Sequence, residues 1–186
     1  MTEQSHIIEV DTADAHETRL LGRCLAAIVR AGDLLMLKGE LGAGKTTFAQ
    51  GLGEGLNVRG RVSSPTFIVA RVHPALGDGP ALIHADAYRI TSLEDLETLD
   101  LDSSLDEAVT VVEWGEGKTE ALSDQRLEIE VKRPIGGVAT VSDGAIDLEA
   151  MDDGHRTIVL RPFGTRWGQE LEDAARASDL NVRVLH

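Results

Sequence analysis

Gly39-Glu40-Leu41-Gly42-Ala43-Gly44-Lys45-Thr46 matches, at every fixed position, the spacing Gly, four residues, Gly, Lys, then Ser or Thr. A chain of this length would show that pattern by chance less than about 1% of the time at ordinary residue frequencies. Glycines at these positions let backbone N–H groups curl around phosphate oxygens, and the start of a following helix adds a favourable dipole. The phosphate cradle is therefore expected over Leu41, Gly42, Ala43, Gly44, Lys45, Thr46 and Thr47. Lys45 would reach the β and γ phosphates, and the Thr46 hydroxyl would ligate Mg2+. Phosphoryl transfer also needs acids to hold metal or orient water. Asp86 closes Ala81-Leu82-Ile83-His84-Ala85, and Glu113 closes Val109-Thr110-Val111-Val112, each an apolar run ending in an acid. In an open α/β sheet, ligands bind beyond the carboxyl ends of the strands, where both acids would emerge. Guanine-reading elements are missing: neither Asn57 nor Asn181 continues as Asn-Lys-x-Asp, and no Asp is followed by Gly at the third position. ATP, with ADP as product, is the expected nucleotide.

Alternating strand and helix signals supply the scaffold. Asp14 and Glu17 stand in capping-box spacing ahead of a helix striped with Leu20, Leu21, Cys24, Leu25 and Ile28. The continuous apolar run Leu34-Leu35-Met36-Leu37 reads as a central strand buried on both faces. The glycine-rich turn and a helix over Lys45–Leu56 follow it directly. A short apolar stretch stands at 7–10, further strands are expected over 66–72, 81–85, 109–112, 127–131, 137–141, 145–148 and 157–160, with one or two short helices at 93–105 and a helix at 167–177. The early half reads as parallel and the later half as antiparallel. The fold class is thus α/β: a P-loop NTPase-like sheet with a parallel core, antiparallel additions and helices on both faces. One domain is expected over 1–162, followed by a C-terminal helical extension over 163–186 whose attachment stays open.

The chain has 186 residues, with Lys+Arg 18 against Asp+Glu 32 for a net charge of −14. So acidic a surface repels a nucleic-acid backbone, and six aromatic residues are too few for a base-stacking platform. Cys24, the lone cysteine, excludes an intrachain disulfide and a cysteine-based zinc site and is expected in apolar packing. Met1–Val10 lacks the basic start and apolar core of a signal peptide, and no apolar run reaches membrane-spanning length. A soluble cytoplasmic protein is the simplest reading. His84 is expected to satisfy a strand-end hydrogen bond rather than to bind metal.

In order along the chain, Gly39 to Thr47, Ser64-Pro65-Thr66-Phe67, His84-Ala85-Asp86-Ala87-Tyr88-Arg89 and Val112-Glu113-Trp114 together resemble the bacterial TsaE (YjeE) family. That family is the ATPase of tRNA threonylcarbamoyladenosine biosynthesis. The resemblance runs from about residue 10 to 160, and the three later motifs are more specific than the first.

It implies a Mg2+-dependent ATPase, slow alone, that supports formation of the threonylcarbamoyl group at N6 of adenosine 37 in tRNAs reading ANN codons. The implied partners are the threonylcarbamoyl-transferase subunit and its non-catalytic paralogue, of TsaD and TsaB type, through which tRNA is met indirectly. The Ser64–Thr66 segment transfers as a switch-like loop near the phosphates. Lys45, Asp86 and Glu113 transfer as the catalytic residues, Thr46 and Glu113 as the metal ligands, and Thr66, Trp114 and Arg156 as further nucleotide contacts. The two acids could exchange roles. Tyr88 and Arg89 are either a charge clamp or an anchor for the loop after Asp86. The 131–155 segment is longer than the family pattern, 164–186 has no placed counterpart, and Ala85 and Ala87 replace bulkier residues, a change read as packing. Two other functions compete: a small-molecule or nucleoside kinase, disfavoured because the acidic 93–107 segment carries no lid arginine, and a nucleotide-gated binding module that needs no hydrolysis.

Overall fold

Leu34–Lys38 occupies the middle of the sheet, and its side chains show why a continuous apolar run was needed there. Leu35 and Leu37 enter the larger hydrophobic cluster on one face, while Leu34 and Met36 enter a smaller cluster on the other. A strand buried on both faces cannot alternate with polar residues. The computed structural model describes residues 6–40, 42–62, 70–87, 106–114, 117, 123–133 and 154–186. Leu41, Ser64, Thr66, Tyr88, Arg89, the expected helix at 93–105 and the expected strands at 137–141 and 145–148 lie outside them.

In chain order the described elements are β1 (Ile7–Thr12), α1 (Ala15–Leu25), β2 (Leu34–Lys38), α2 (Lys45–Leu56), β3 (Ala70–His73), β4 (Ala81–Asp86), β5 (Ala108–Glu113), β6 (Leu127–Lys132), β7 (Arg156–Pro162), α3 (Gln169–Arg176) and β8 (Asn181–Leu185). They build one sheet in the order β3-β4-β5-β2-β6-β7-β1-β8. The pairs β4–β5, β5–β2 and β2–β6 are parallel, and the pairs outside them are antiparallel. Parallel and antiparallel pairing is therefore sorted by position in the sheet rather than by half of the chain. The early strand β1 is antiparallel to both neighbours, and the late strand β6 is parallel to β2.

The described helices all contribute to the larger cluster: Leu21 and Leu25 from α1, Phe48 and Leu52 from α2, Leu171 and Ala175 from α3. No described helix contributes to the smaller cluster, which lies on the other face. Buried Ala85 and Ala87 join the smaller cluster there, so their small size is a matter of packing. The α1 cap forms in part as its spacing predicts: Asp14 Oδ1 accepts the Glu17 N–H at 2.9 Å, while Glu17 Oε2 reaches one residue beyond the cap to accept the Ala13 N–H at 2.6 Å. Cys24 is half-buried rather than in the core, and burial raises its thiol pKa. The contact of α1 with α2 is unusually close. A Cβ on Gly51 would lie 2.0 Å from the carbonyl oxygen of Arg19, so only glycine permits this approach.

Residues after 163 are woven into the body. Strand β8 extends the sheet beside β1, an element absent from the sequence expectation. Arg183 pairs with Asp11 and, at 3.1 Å, with Glu9. Trp167 precedes α3 rather than lying on it; it is buried, and its indole N–H donates to the Gln125 carbonyl at 2.8 Å. Arg166 grips Asp33 with two hydrogen bonds of 2.9 and 2.8 Å and donates to the Ile28 carbonyl at 2.6 Å. Among the described residues, no helix is long and apolar enough to cross a membrane.

Candidate functional site

The glycine-rich loop leaves β2 and enters α2, and its shape depends on what lies beneath it. Gly39 has φ +142, and a Cβ there would come within 2.5 Å of the Val131 carbonyl oxygen at the end of β6. Any side chain would push the loop off the sheet. Gly44 caps α2 without a side-chain hydrogen bond, so the first N–H groups of the helix face outward for an anion to use. Two arginines brace the loop from below: Arg156 Nε donates to the Ala43 carbonyl at 2.6 Å, and an Arg133 NH2 group donates to the Gly42 carbonyl at 2.9 Å.

Lys45 begins α2 and is buried despite its charge. Its Nζ donates to the carbonyls of Gly39 and Glu40 at 2.7 and 3.0 Å and sits 4.2 Å from the centre of the Trp114 ring. Desolvation pushes the ammonium below the usual lysine range, and the negative charges of Glu113 and Asp86 counter that shift. Trp114 reaches the lysine because its backbone takes φ +60, a left-handed conformation that costs a residue other than glycine about 1–3 kcal/mol. Backbone strain thus falls on the residue that follows β5 and faces the lysine.

Strands β4 and β5 run parallel with Asp86 opposite Glu113, which sets the two acids side by side. The Ala87 N–H donates to the Glu113 carbonyl at 2.9 Å and locks the two strand ends together. The Glu113 carboxylate is buried and its oxygens are divided. Oε2 lies 3.1 Å from Nε2 of buried His84, while Oε1 accepts from the Thr46 hydroxyl at 3.5 Å. A carboxylate so placed has a partner on each oxygen and is orientationally fixed.

These parts converge on a cavity of about 220 Å3 lined by Gly42, Gly44, Lys45, Thr46, Thr47, Glu113 and Trp114. The structure therefore brings together most residues singled out from sequence. Asp86 stands beside the cavity through its pairing with Glu113, and Arg156 stands behind the loop at Ala43. Leu41 and Thr66 fall outside the described residues. Sequence reasoning missed two contributors. Arg133 is a single basic residue after a strand, with no local mark of its contact to Gly42. His84 was expected to make a strand-end hydrogen bond, and its partner is the acid on the neighbouring strand.

Comparison with known proteins decides the family. A model described as threonylcarbamoyl adenosine biosynthesis protein TsaE matches residues 12–136, about two thirds of the chain. The chain belongs to the TsaE family. It is 54% identical over 150 residues to the tRNA threonylcarbamoyladenosine biosynthesis protein TsaE of Streptomyces coelicolor, covering 80% of this chain and 93% of the relative. The Bacillus subtilis TsaE is 33% identical over 172 residues, covering 91% of this chain and 95% of the relative. A crystal structure of Bacillus subtilis YdiB superposes with a TM-score of 0.65 at 28% identity, covering 94% of this chain and 98% of that one. The part of this chain left uncovered there is shorter than the 164–186 segment, so some of that tail has a counterpart in the solved structure after all.

Proposed function

We propose that this TsaE-family chain is a Mg2+-dependent ATPase that supports threonylcarbamoyladenosine formation at position 37 of tRNAs reading ANN codons. It works in the cytoplasm with a threonylcarbamoyl-transferase subunit of TsaD type and its TsaB-type paralogue, and meets tRNA through them. The observation that carries the reading is the convergence of Lys45, Thr46 and Glu113 on one cavity at the start of α2.

The residues fit the groups this reading needs. The Thr46 hydroxyl and the Glu113 Oε1 face one another at 3.5 Å, and two hard oxygen donors suit Mg2+. Glu113 meets the Thr46 hydroxyl through Oε1, so we assign it and Thr46 as the metal ligands. Bound there, Mg2+ would neutralise charge on the phosphate oxygens. Asp86, its register partner, shapes the surroundings of the ligand set and of the attacking water. The outward N–H groups of Gly42 to Thr47 hold the phosphates, and Lys45 exchanges its loop carbonyls for phosphate oxygens. Trp114 closes one wall and excludes water.

Positioning and charge neutralisation supply most of the catalysis of phosphoryl transfer. None of the described residues lining this cavity is an arginine, since Arg133 and Arg156 are committed to loop carbonyls. Slow hydrolysis by the isolated protein follows, with the partner complex completing the site. The test is reconstitution of tRNA modification from purified partners, ATP and substrates. Wild-type protein should support modification and Lys45→Ala should not; equal modification with Lys45→Ala, or with the protein omitted, would reject the reading.

A further inference from the structure

A second cavity, of about 420 Å3, lies between α1, α2 and the 58–62 segment and shares no described lining residue with the first. Its volume falls in the range of small-molecule sites, about 300–1,000 Å3. Arg19 of α1, Arg61 of the segment after α2 and Gln50 of α2 line it, together with the apolar Val58 and Val62.

In a chain with 32 acidic residues, several arginines are taken up by ion pairs, as in Arg23–Glu54 at 3.1 Å and Arg161–Glu130 at 2.6 Å. Arg19 and Arg61 make no ion pair with any described residue. The acid that does line the cavity, Glu54, is engaged by Arg23. Arg19 Nε is also buried without a hydrogen-bond partner, and buried donors are rarely left so. Its backbone cannot retreat, because its carbonyl is wedged against Gly51 of α2. Two arginines that line one cavity without an ion-pair partner among the described residues favour an anion there, and the planar guanidinium fork matches carboxylate and phosphate oxygens.

We propose that this cavity is an anion site for a small organic carboxylate or phosphate, held by Arg19 and Arg61 with its carbon body against Val58 and Val62. The site is independent of the nucleotide reading, although α2 serves both: Lys45 to Thr47 at one end, Gln50 to Glu54 further along.

The experiment is a titration of the 15N-labelled full chain with succinate and, separately, with glycerol 3-phosphate, reading the arginine Nε–Hε signals against sodium chloride at equal ionic strength. The Arg19 signal should shift and saturate with a half-point of about 1 mM or tighter for at least one probe. The probe that saturates it names the anion class. Arg61→Gln, at an exposed position, should weaken that half-point about tenfold while the melting temperature stays unchanged. Binding of the phosphate probe at the glycine-rich loop would be read separately at the Gly44 and Thr46 amides. Shifts no larger than those with chloride for both probes, or the same half-point in Arg61→Gln, would overturn the proposal.

Discussion

Nε2 of His84 lies 3.1 Å from Oε2 of Glu113, with both side chains buried between adjacent parallel strands. The contact leaves Oε1 to face Thr46, so the histidine selects which carboxylate oxygen points into the cavity. Groups that orient a ligating carboxylate are typically worth 10–100-fold in metal affinity. His84→Ala should retain nucleotide binding and raise the Mg2+ concentration needed for half-maximal binding of ATP by about that factor. Calorimetric titration of Mg2+ against the nucleotide-bound protein checks this, and a melting curve separates it from global unfolding. An unchanged Mg2+ requirement in folded His84→Ala would remove the orienting role.

Lys45 is held below the ordinary lysine range by burial and is supported from the other side by Glu113 and Asp86. Glu113→Gln removes a negative neighbour, so the lysine pKa should fall further. The sign is fixed because the lost carboxylate favoured the charged ammonium. Carbon-13 chemical shifts of the Lys45 side chain across a pH series measure the change directly. A pKa that rises, or stays put, in the variant would contradict the placement of Glu113 beside Lys45.

Gly51→Ala poses opposed effects of known sign. Helix propensity favours alanine by about 1 kcal/mol. The added Cβ would stand 2.0 Å from the Arg19 carbonyl oxygen, a backbone atom that cannot rotate away. Overpacking of this kind costs about 1–3 kcal/mol, so the variant should melt at a lower temperature than the wild type. A higher melting temperature would show that α1 and α2 are less closely packed than described.

The C-terminal strand should loosen in acid. Hydrogen bonds from Arg183 hold the Asp11 carboxyl below the usual carboxylate range, with burial opposing and Thr157 assisting. A group whose pKa is depressed by folding stabilises the fold at and above its unfolded value, and that contribution disappears as pH falls through the folded value. Hydrogen-exchange protection of the 181–185 amides, corrected for intrinsic rate, should therefore drop between pH 7 and pH 3 more than that of β2. Equal loss in the two strands would mean that Asp11–Arg183 does not secure β8.

What the sequence made legible was local. The Gly39–Thr46 spacing, the Lys45–Leu56 helix and the apolar runs ending in Asp86 and Glu113 each have their cause within a few residues, and each appears where expected. What it hid was long-range. The partner of His84 is set by pairing between β4 and β5, and the contact of Arg133 with Gly42 joins residues 91 positions apart. Strand β8 carries only the short alternation Val182-Arg183-Val184, half-exposed at a sheet edge, and it is secured by ion pairs to β1 across nearly the whole chain. The sorting of parallel from antiparallel strands belongs to the same class, since sheet order is a property of tertiary packing and leaves little trace in local pattern.

The central claim is that Lys45, Thr46 and Glu113 form one Mg2+-dependent site for ATP hydrolysis, and phosphate release from ATP by the purified full chain tests it most directly. The account requires slow turnover by the wild type that disappears when Mg2+ is chelated, falls about 10–100-fold in Glu113→Gln and is lost in Lys45→Ala. Turnover that persists without Mg2+, or that is equal in wild type and both variants, would mean that this cluster is not where ATP is hydrolysed.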